Sequence, residues 1–275
     1  MVTEISSLQN NRIKELSKLS KRRVRDARRM TLVEGARESL RCLDQGVTPI
    51  EVYLCPALLT DEEGRVAAAR LEVLAQTHRT RLFHVTEEVF ARIAYRESGG
   101  LLLVIPYGET GLAHLPAPAV PLYAVIEGVE KPGNLGAILR TADAAGVDGL
   151  IVSQTRARPA TDLYNPNVVR ASLGALFTVP VAEASTAAVI DWLAERQIPL
   201  IAATPDGTVR YTDAALVGPV AVALGSEAFG LSEELLAAAQ QRVVIPMFGV
   251  MDSLNLATSA ALLMYEAVRQ RGDRE

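Results

Sequence analysis

Cysteine and histidine are scarce in this sequence, and long apolar runs are missing. The two cysteines, Cys42 and Cys55, lie too far apart for a metal pair or a redox motif, and the three histidines offer few further ligands. We therefore expect neither a disulfide framework nor a metal site. No stretch approaches the roughly 20 apolar residues that cross a bilayer, and the first residues lack the pattern of a signal peptide. These absences predict a cytoplasmic protein without a membrane partner.

The composition is that of a folded protein. Hydrophobic residues make up 49% of the 275 residues and charged residues 22%, a balance that supports a full core and is unlike that of a disordered chain. The length exceeds that of one average domain, so one large α/β domain and two smaller ones are both compatible with it. We take two domains as the expectation.

Positive charge is concentrated near the N-terminus, although the formal net charge of the chain is −4. Nine basic residues precede Met30 and three acidic residues oppose them, a local excess of +6. Such a cation field attracts a phosphate backbone through counterion release. A solvated helix face is the alternative, because Ile13, Leu16 and Leu19 form an apolar stripe. We predict nucleic-acid contacts by Lys18, Lys21, Arg22, Arg23, Arg25, Arg28 and Arg29.

The first part of the chain, residues 1–107, alternates between strand and helix patterns and predicts a small α/β sandwich. The patterns favour strands at Thr31–Val33, Val52–Cys55, Arg81–Val85 and Leu101–Ile105, and helices at Ala36–Leu43, Val66–Ala75 and Glu87–Ala94. Residues 108–119 follow without periodicity. They contain two glycines and two prolines, which is typical of a linker between domains.

A second alternating series covers residues 120–275. Strands are predicted at Leu122–Ile126, Leu150–Val152, Leu200–Ala203, Val220–Leu224 and Val243–Ile245, and helices at Leu135–Ala145, Val168–Leu176, Ala187–Arg196 and in a last segment that ends near Arg271. This alternation predicts an α/β domain with a mostly parallel sheet that helices cover on both faces. Ligands of such sheets usually bind at the carboxyl ends of the strands.

A first polar cluster, EGVEKPGNLGAILRT, occupies residues 127–141 after the first of these strands. Gly133 and Gly136 allow a ligand to approach the backbone, and Asn134 is predicted to cap the following helix. Arg140 lies in that helix and can bind phosphate through its forked guanidinium. An ordinary turn with a surface arginine is the alternative. The glycines do not match Gly-x-Gly-x-x-Gly, and no P-loop lysine pattern occurs in the sequence.

Two further clusters follow later strands. Residues 223–232, ALGSEAFGLS, form a glycine-containing loop with one acid, Glu227, before a helix that Ser232 is predicted to cap. A simple capped turn is the alternative. Residues 245–259, IPMFGVMDSLNLATS, are too polar at Asp252, Ser253 and Asn255 to be only a core connection. The final helix then carries an apolar stripe at Leu254, Ala257, Ala261, Met264 and Val268.

Together, the three clusters resemble the three motifs of the SpoU/TrmH family of RNA 2'-O-ribose methyltransferases, which belong to the SPOUT class. The resemblance spans about residues 120–271, keeps the order and spacing of the motifs, and includes the segment YNPNVVRASLGALF at residues 164–177. The N-terminal part is similar, more loosely, to the RNA substrate-binding domain that is common in this family. That similarity agrees with the concentration of positive charge.

The resemblance implies a trefoil knot in the C-terminal domain, a rare exception to the rule that chains do not thread loops. It also implies a homodimer that forms through the C-terminal domain, with the apolar stripe of the last helix at the interface. S-adenosylmethionine is the implied cofactor. The residues implied to hold it are Thr204, Leu224, Gly225, Ile245, Met247, Leu254 and Asn255.

The reaction that the resemblance implies is methyl transfer to a ribose 2'-hydroxyl of RNA without a metal. Family positions place Arg140 nearest the reaction, with Asn134, Glu227, Ser253 and Asn255 as neighbours. Because a guanidinium stays charged and is a poor base, we expect Arg140 to anchor a phosphate and to lower the pKa of the hydroxyl. A direct role as base is the alternative. Ribosomal RNA is the expected substrate, and transfer RNA is the second choice.

Two other classes of protein are compatible with parts of the sequence. A catalytically silent RNA-binding protein with a SPOUT-like domain would keep the basic N-terminal segment but lack a complete donor site, and the three intact clusters argue against it. A nicotinamide-dependent dehydrogenase needs a phosphate-binding fingerprint and an acidic ribose partner about 20 residues later. Asp148 lies at a suitable position, but the fingerprint is absent.

Overall fold

The computed structural model describes residues 3–77, 80–95 and 99–272. The strands in these ranges are β1 (Thr3–Ile5), β2 (Met30–Glu34), β3 (Glu51–Leu54), β4 (Arg81–Val85), β5 (Leu101–Pro106), β6 (Leu122–Glu127), β7 (Gly149–Gln154), β8 (Val181–Ser185), β9 (Leu200–Ala203), β10 (Val209–Arg210), β11 (Val220–Gly225) and β12 (Gln241–Val244). The helices are α1 (Asn11–Ser17), α2 (Arg22–Arg28), α3 (Ala36–Asp44), α4 (Glu62–Thr77), α5 (Glu87–Ile93), α6 (Pro132–Ala145), α7 (Pro166–Ala171), α8 (Ala175–Thr178), α9 (Thr186–Glu195), α10 (Glu233–Ala238) and α11 (Leu256–Arg271).

The chain divides into two compact units. The first contains residues 1–108 and 164–178, and the second contains residues 109–163 and 179–275. The segment 164–178, which the sequence analysis included in the second domain, thus groups with the first unit. The expected linker groups with the second unit, where Leu115 is buried and the Glu183 N–H donates to the Thr110 carbonyl over 2.8 Å.

The first unit is built on a mixed five-stranded sheet with the order β1-β4-β3-β5-β2. Strands β1 and β3 pair with β4 in parallel, whereas β5 is antiparallel to β2 and β3. Tyr53 of β3 and Phe83 of β4 are register partners, and their stacked rings lie 5.1 Å apart. The sequence pattern had predicted four of these strands. It missed β1, because three residues are too few to show an alternating pattern.

The basic N-terminal segment forms α1 and α2. Its apolar stripe packs into the core of the first unit, and most of its cations remain exposed. Arg25 is different, because it is 2% exposed and its guanidinium donates to the carbonyls of Leu19 and Ser20 over 2.8 and 2.9 Å. This corrects the prediction of an RNA contact for Arg25, since a buried guanidinium bound to the carbonyls of Leu19 and Ser20 is not accessible to a phosphate.

The second unit confirms the expected α/β architecture with a mostly parallel sheet. Its seven strands have the order β10-β12-β9-β11-β6-β7-β8, and the pairings between them are parallel. Strand β6 is buried along its whole length, as expected for a central parallel strand covered on both faces. Trp192 of α9 packs edge-on against Tyr123 of β6, with ring centroids 5.1 Å apart. The expected knot stays a prediction.

Helix α6 begins earlier than the sequence suggested. Lys131 occupies the N-cap position and Pro132 the first helical position, so Asn134 lies inside the first turn and does not cap the helix. The fixed φ of proline favours a helix start at this point. The predicted end is confirmed by Gly146, whose φ of 60° is left-handed. The helix predicted at Val168–Leu176 is divided into α7 and α8.

The last helix buries a different face from the predicted stripe. Leu254 precedes α11, which starts at Leu256 after the N-cap residue Asn255. Of the stripe, Met264 is buried, whereas Ala257, Ala261 and Val268 are only half-buried. The buried positions of α11 are Leu256, Ala260, Leu263, Met264, Glu266 and Ala267. Among the described residues, no helix is long and apolar enough to cross a membrane.

Candidate cofactor and active site

A cavity of about 680 Å³ opens at the carboxyl ends of β9, β11 and β12 in the second unit. Parallel strands end at the same edge of a sheet, so the loops that follow them enclose a common space. Six of the seven residues expected to hold the cofactor line it, together with Glu227 and Ser253; these six are Thr204, Leu224, Gly225, Ile245, Met247 and Leu254. Asn134, Arg140 and Asn255 are not part of the lining.

Gly225 allows the loop after β11 to close tightly beside this cavity. A Cβ atom at this position would lie 2.0 Å from the carbonyl carbon of Gly230 and 2.2 Å from the nitrogen of Leu231. The loop is closed by a hydrogen bond of 2.9 Å from the Gly230 N–H to the Ser226 carbonyl, and Gly230 has a φ of 61°. The path of the backbone around the cavity thus depends on glycine at position 225.

Four polar side chains from distant parts of the chain meet at the edge of the cavity. Asn134 and Asn255 each donate an amide hydrogen bond to Oε1 of Glu227, over 3.1 and 2.8 Å, and Asn255 also donates to Asn134 over 3.2 Å. Lys131 binds the other oxygen, Oε2 of Glu227. Three of these residues were predicted as neighbours of the reaction. Lys131 was missed, because a lysine before a proline carries no signal of its own.

This cluster keeps Glu227 ionised. The hydrogen bond from Lys131 lowers the pKa of Glu227 below its ordinary value of 4.5, and hydrogen bonds from Asn134 and from the Leu256 N–H act in the same direction. The same contact raises the pKa of Lys131. A carboxylate with a lowered pKa and two occupied oxygens is a weak proton acceptor at neutral pH. Glu227 is therefore suited to hold its neighbours in position.

Replacing Lys131 with glutamine is expected to raise the pKa of Glu227 towards its ordinary value, because the main favourable partner of the carboxylate is lost. In the native protein, the stabilisation from this carboxylate is present above pH 4.5 and is lost as the pH falls through the lowered pKa. Carbon-13 NMR of labelled glutamate side chains measures the midpoint, and Glu227→Gln identifies the resonance. Lys14→Gln serves as control. An unchanged midpoint in Lys131→Gln would show that the ion pair does not form in solution.

A buried carboxylate binds the end of the loop that follows β11. Glu127 at the end of β6 is fully buried and accepts hydrogen bonds from the Thr186 hydroxyl over 2.7 Å and from the Ser232 N–H over 2.6 Å. The hydroxyls of Thr186 and Ser153 are 2.8 Å apart. Ser232 caps α10 as predicted, by accepting from the Leu235 N–H over 3.3 Å. Glu127 thus connects the end of the 226–231 loop to β6 and to the first residue of α9, a role that the sequence did not indicate.

Glu127→Ala is expected to destabilise the second unit by about 3 kcal/mol, since two buried donors lose their acceptor at about 1–3 kcal/mol each. Chemical denaturation followed by fluorescence measures this loss, because the single tryptophan, Trp192, lies in the core of this unit. Glu130→Ala, an exposed neighbour, is the control. If Glu127→Ala unfolds at the same denaturant concentration as the control, the buried contacts contribute nothing to stability.

Arg140 stands apart from the polar cluster. Its side chain is exposed on α6, about 9 Å further along the helix axis than Asn134. Within the described parts of the chain, the guanidinium of Arg140 forms no hydrogen bond to another residue. The structure therefore places Arg140 on the same helix as Asn134 but does not bring its side chain into contact with Glu227. Ser253 is also exposed, in a loop whose apolar side chains Phe248, Val250 and Met251 are 90%, 98% and 70% exposed.

The exposed cations of the N-terminal segment are partly neutralised by local partners. Lys18 and Arg28 both bind Glu15, and Arg22 lies 3.4 Å from Asp26. Arg29 lies over the ring of Tyr107, with 5.3 Å between the guanidinium carbon and the ring centroid. Lys21 and Arg23 are exposed as well. Apart from Arg25, the predicted RNA-binding residues are thus on the surface of the first unit.

Comparison with known families matches both units. The model of the SpoU rRNA Methylase family matches residues 121–265, which is more than half of the chain. The chain belongs to this family. The model of an MRM3-like substrate binding domain matches residues 10–103, the main part of the first unit. The SpoU family membership that the three motifs had suggested is therefore confirmed.

Related proteins and solved structures agree with the SpoU assignment. A Staphylococcus haemolyticus protein assigned to the TrmH family of tRNA/rRNA methyltransferases is 40% identical over 54% of this chain and 58% of its own length. A crystal structure of an RNA 2'-O ribose methyltransferase is 40% identical, has a TM-score of 0.83, and covers 98% of this chain and 99% of that one. An AdoMet-bound rRNA methyltransferase from Sinorhizobium meliloti is 28% identical with a TM-score of 0.89, over 99% of both chains.

Proposed function

We propose that this SpoU-family chain transfers a methyl group from S-adenosylmethionine to a ribose 2'-hydroxyl of RNA. The observation that carries the proposal is the cavity at the edge of the parallel sheet, together with the Glu227 cluster beside it. The residues present fit the cofactor. Leu224, Ile245 and Leu254 offer apolar surface for an adenine ring, and Gly225 leaves backbone groups open for polar contacts.

The protein has to position two reactants and stabilise negative charge on the acceptor oxygen. S-adenosylmethionine, when bound, supplies a methyl group on a positively charged sulfur. Glu227 holds the amides of Asn134 and Asn255 in place at the cavity edge. Arg140 anchors a phosphate of the RNA and favours the ionised form of the nearby hydroxyl. The proton leaves to water, because both oxygens of Glu227 are already bound.

Calorimetry and a transfer assay test this function directly. We expect the protein to bind S-adenosylmethionine, to show no binding of NAD, and to incorporate labelled methyl groups into unmodified RNA at the ribose. Binding of NAD would favour a dehydrogenase instead. Binding of RNA without binding of S-adenosylmethionine would identify a catalytically silent RNA-binding protein.

Ribosomal RNA is the substrate class that we propose, with transfer RNA as second choice. The solved relative from Sinorhizobium meliloti is named as an rRNA methyltransferase. The match of the first unit to a substrate binding domain supports a separate RNA-binding domain. The exposed cations that we assign to RNA binding in this domain are Lys18, Lys21, Arg22, Arg23, Arg28 and Arg29. Mapping 2'-O-methyl sites in total RNA with and without the gene identifies the nucleotide. The cytoplasmic location stays a prediction.

A homodimer through the second unit is also part of the proposal. The exposed side of α11 carries Ala261, Leu262 and Tyr265, which line a shallow surface cavity with Tyr211. Tyr265 is 49% exposed and adds apolar area to this surface. Light scattering decides the question, and a monomer at assay concentration would contradict the dimer.

A further inference from the structure

The loop after β11 holds one large apolar side chain in solvent. Phe229 is 57% exposed and follows Glu227 by two residues. Two hydrogen bonds hold the backbone of this turn. The Phe229 N–H donates to Oγ of Ser226 over 3.2 Å, and the Gly230 N–H donates to the Ser226 carbonyl over 2.9 Å. Gly225 packs directly against the far side of the same loop. The ring is thus presented to solvent beside the active-site cluster on a closed turn.

Cationic side chains accompany this ring. Strand β6 is the neighbour of both β7 and β11, so the loops that follow these three strands emerge side by side. Arg158, after β7, donates to the carbonyl of Phe229 over 3.4 Å. Arg156 lies exposed in the same loop, and Lys131, after β6, binds Glu227. Two arginines, Arg156 and Arg158, thus lie on the loop next to the one that carries the ring, whereas the charge of Lys131 is paired with Glu227.

An exposed aromatic ring among cations is the chemistry that recognises unpaired RNA. Bases outside a duplex stack on aromatic side chains, and nearby lysines and arginines hold the phosphates. We propose that Phe229 is a stacking platform for an unpaired base next to the methylated nucleotide, and that Arg156 and Arg158 hold the adjoining backbone. This inference rests on the proposed function and deepens it: the substrate presents its target in a single-stranded segment.

A protein partner fits this surface less well. Covering Phe229 with an apolar surface would also bury the charge of Arg158, which binds the Phe229 carbonyl, and a charge that leaves water without a charged partner is unfavourable. A nucleic acid supplies a planar apolar base and negative phosphates together. The charge at the site therefore favours RNA over a second copy of the chain.

Fluorescence of Phe229→Trp tests stacking directly. The native Trp192 is 7% exposed and serves as a constant background, so a change on adding RNA reports the new indole. We expect a short unstructured oligouridylate to quench this signal, and an RNA duplex of the same length to leave it unchanged. Val217→Trp is the matched control, because Val217 is 59% exposed and precedes β11, at the opposite end of the strand from Phe229. We expect no quenching there.

Binding affinities of further variants separate stacking from simple apolar contact. Phe229→Ala is expected to weaken binding of the oligouridylate about tenfold, as is typical for the loss of one base–aromatic stack. Phe229→Leu should lose as much, whereas Phe229→Tyr should bind like the native protein. Native affinity of Phe229→Leu would overturn the proposal, because an apolar side chain without a ring would then suffice.

The remaining outcomes distinguish this inference from the proposed function. If bound oligouridylate leaves the fluorescence of Phe229→Trp unchanged, the stacking platform is wrong even when methyl transfer is observed. If quenching occurs but methyl transfer does not, the platform stands and the catalytic proposal fails. A fluorescence change that depends on protein concentration and not on RNA would assign the ring to a contact between copies and would overturn the inference.

Discussion

Arg140→Ala is expected to lower the rate constant of methyl transfer by about 100- to 1000-fold, the usual effect of removing one charged or hydrogen-bonding group that stabilises a transition state. The affinity for S-adenosylmethionine should stay nearly native, because Arg140 is exposed on α6 and does not line the cavity. Single-turnover transfer assays and calorimetry measure the two quantities separately. Arg65→Ala, on an exposed face of α4, is the control.

Two further measurements on Arg140 separate a phosphate anchor from a base. An anchor lost in Arg140→Ala should reduce the salt dependence of RNA binding by about one phosphate contact. Arg140→Lys keeps the charge but not the forked geometry, so partial activity is expected. A base role would leave RNA affinity unchanged and would alter the pH profile of the rate. Substantial turnover in Arg140→Ala would remove Arg140 from the mechanism altogether.

Gly225→Ala is expected to weaken binding of S-adenosylmethionine by at least about 100-fold, since a cofactor site that moves by about 1 Å loses its alignment. The added Cβ would lie 2.0 and 2.2 Å from backbone atoms of Gly230 and Leu231, and backbone cannot move aside as a flexible side chain can. The loop that lines the cavity must therefore shift. Calorimetry measures the affinity, and Trp192 fluorescence reports whether the unit still folds.

The segment before the same strand contains a matched control for Gly225. Gly218 precedes β11, and a Cβ there would have open space around it, so Gly218→Ala should bind the cofactor like the native protein. Gly230→Ala is an intermediate case: its surroundings are open, but its φ of 61° disfavours a side chain by about 1 kcal/mol. Native affinity in Gly225→Ala would show that the loop does not shape the cofactor site.

The predicted effects separate three parts of one site. Gly225 and Glu127 shape and support the loop that lines the cavity, Glu227 fixes the amides and Lys131 at its edge, and Arg140 acts on the RNA. Substitutions in the first part should change cofactor affinity or stability, and substitutions in the last should change the rate. Phe229 and its neighbouring cations add a fourth part, in which RNA affinity changes and cofactor affinity does not.

Many strands and helix ends of the second unit could be predicted from the local sequence. Apolar runs such as those of β6, β9 and β11 predict buried parallel strands, and Ser232 and Gly146 mark a helix start and end, because capping depends on groups within a few residues. The three motifs were sufficient to predict the family. Where local signals competed, prediction failed: Asn134 is a good capping residue, but Pro132 starts the helix earlier.

The sequence by itself determined the fold class, the family and the residue types of the site, because these follow from hydrophobic periodicity and from motifs that are contiguous in the chain. Tertiary structure alone decided the contacts. Lys131 and Glu227 are in contact although they are 96 positions apart in the sequence, and Glu127 and Ser232 are in contact although they are 105 positions apart. These contacts form because β6 and β11 are neighbours in the sheet. The burial of Arg25 has the same origin, because the carbonyls of Leu19 and Ser20 that compensate its buried charge are brought to it by the fold.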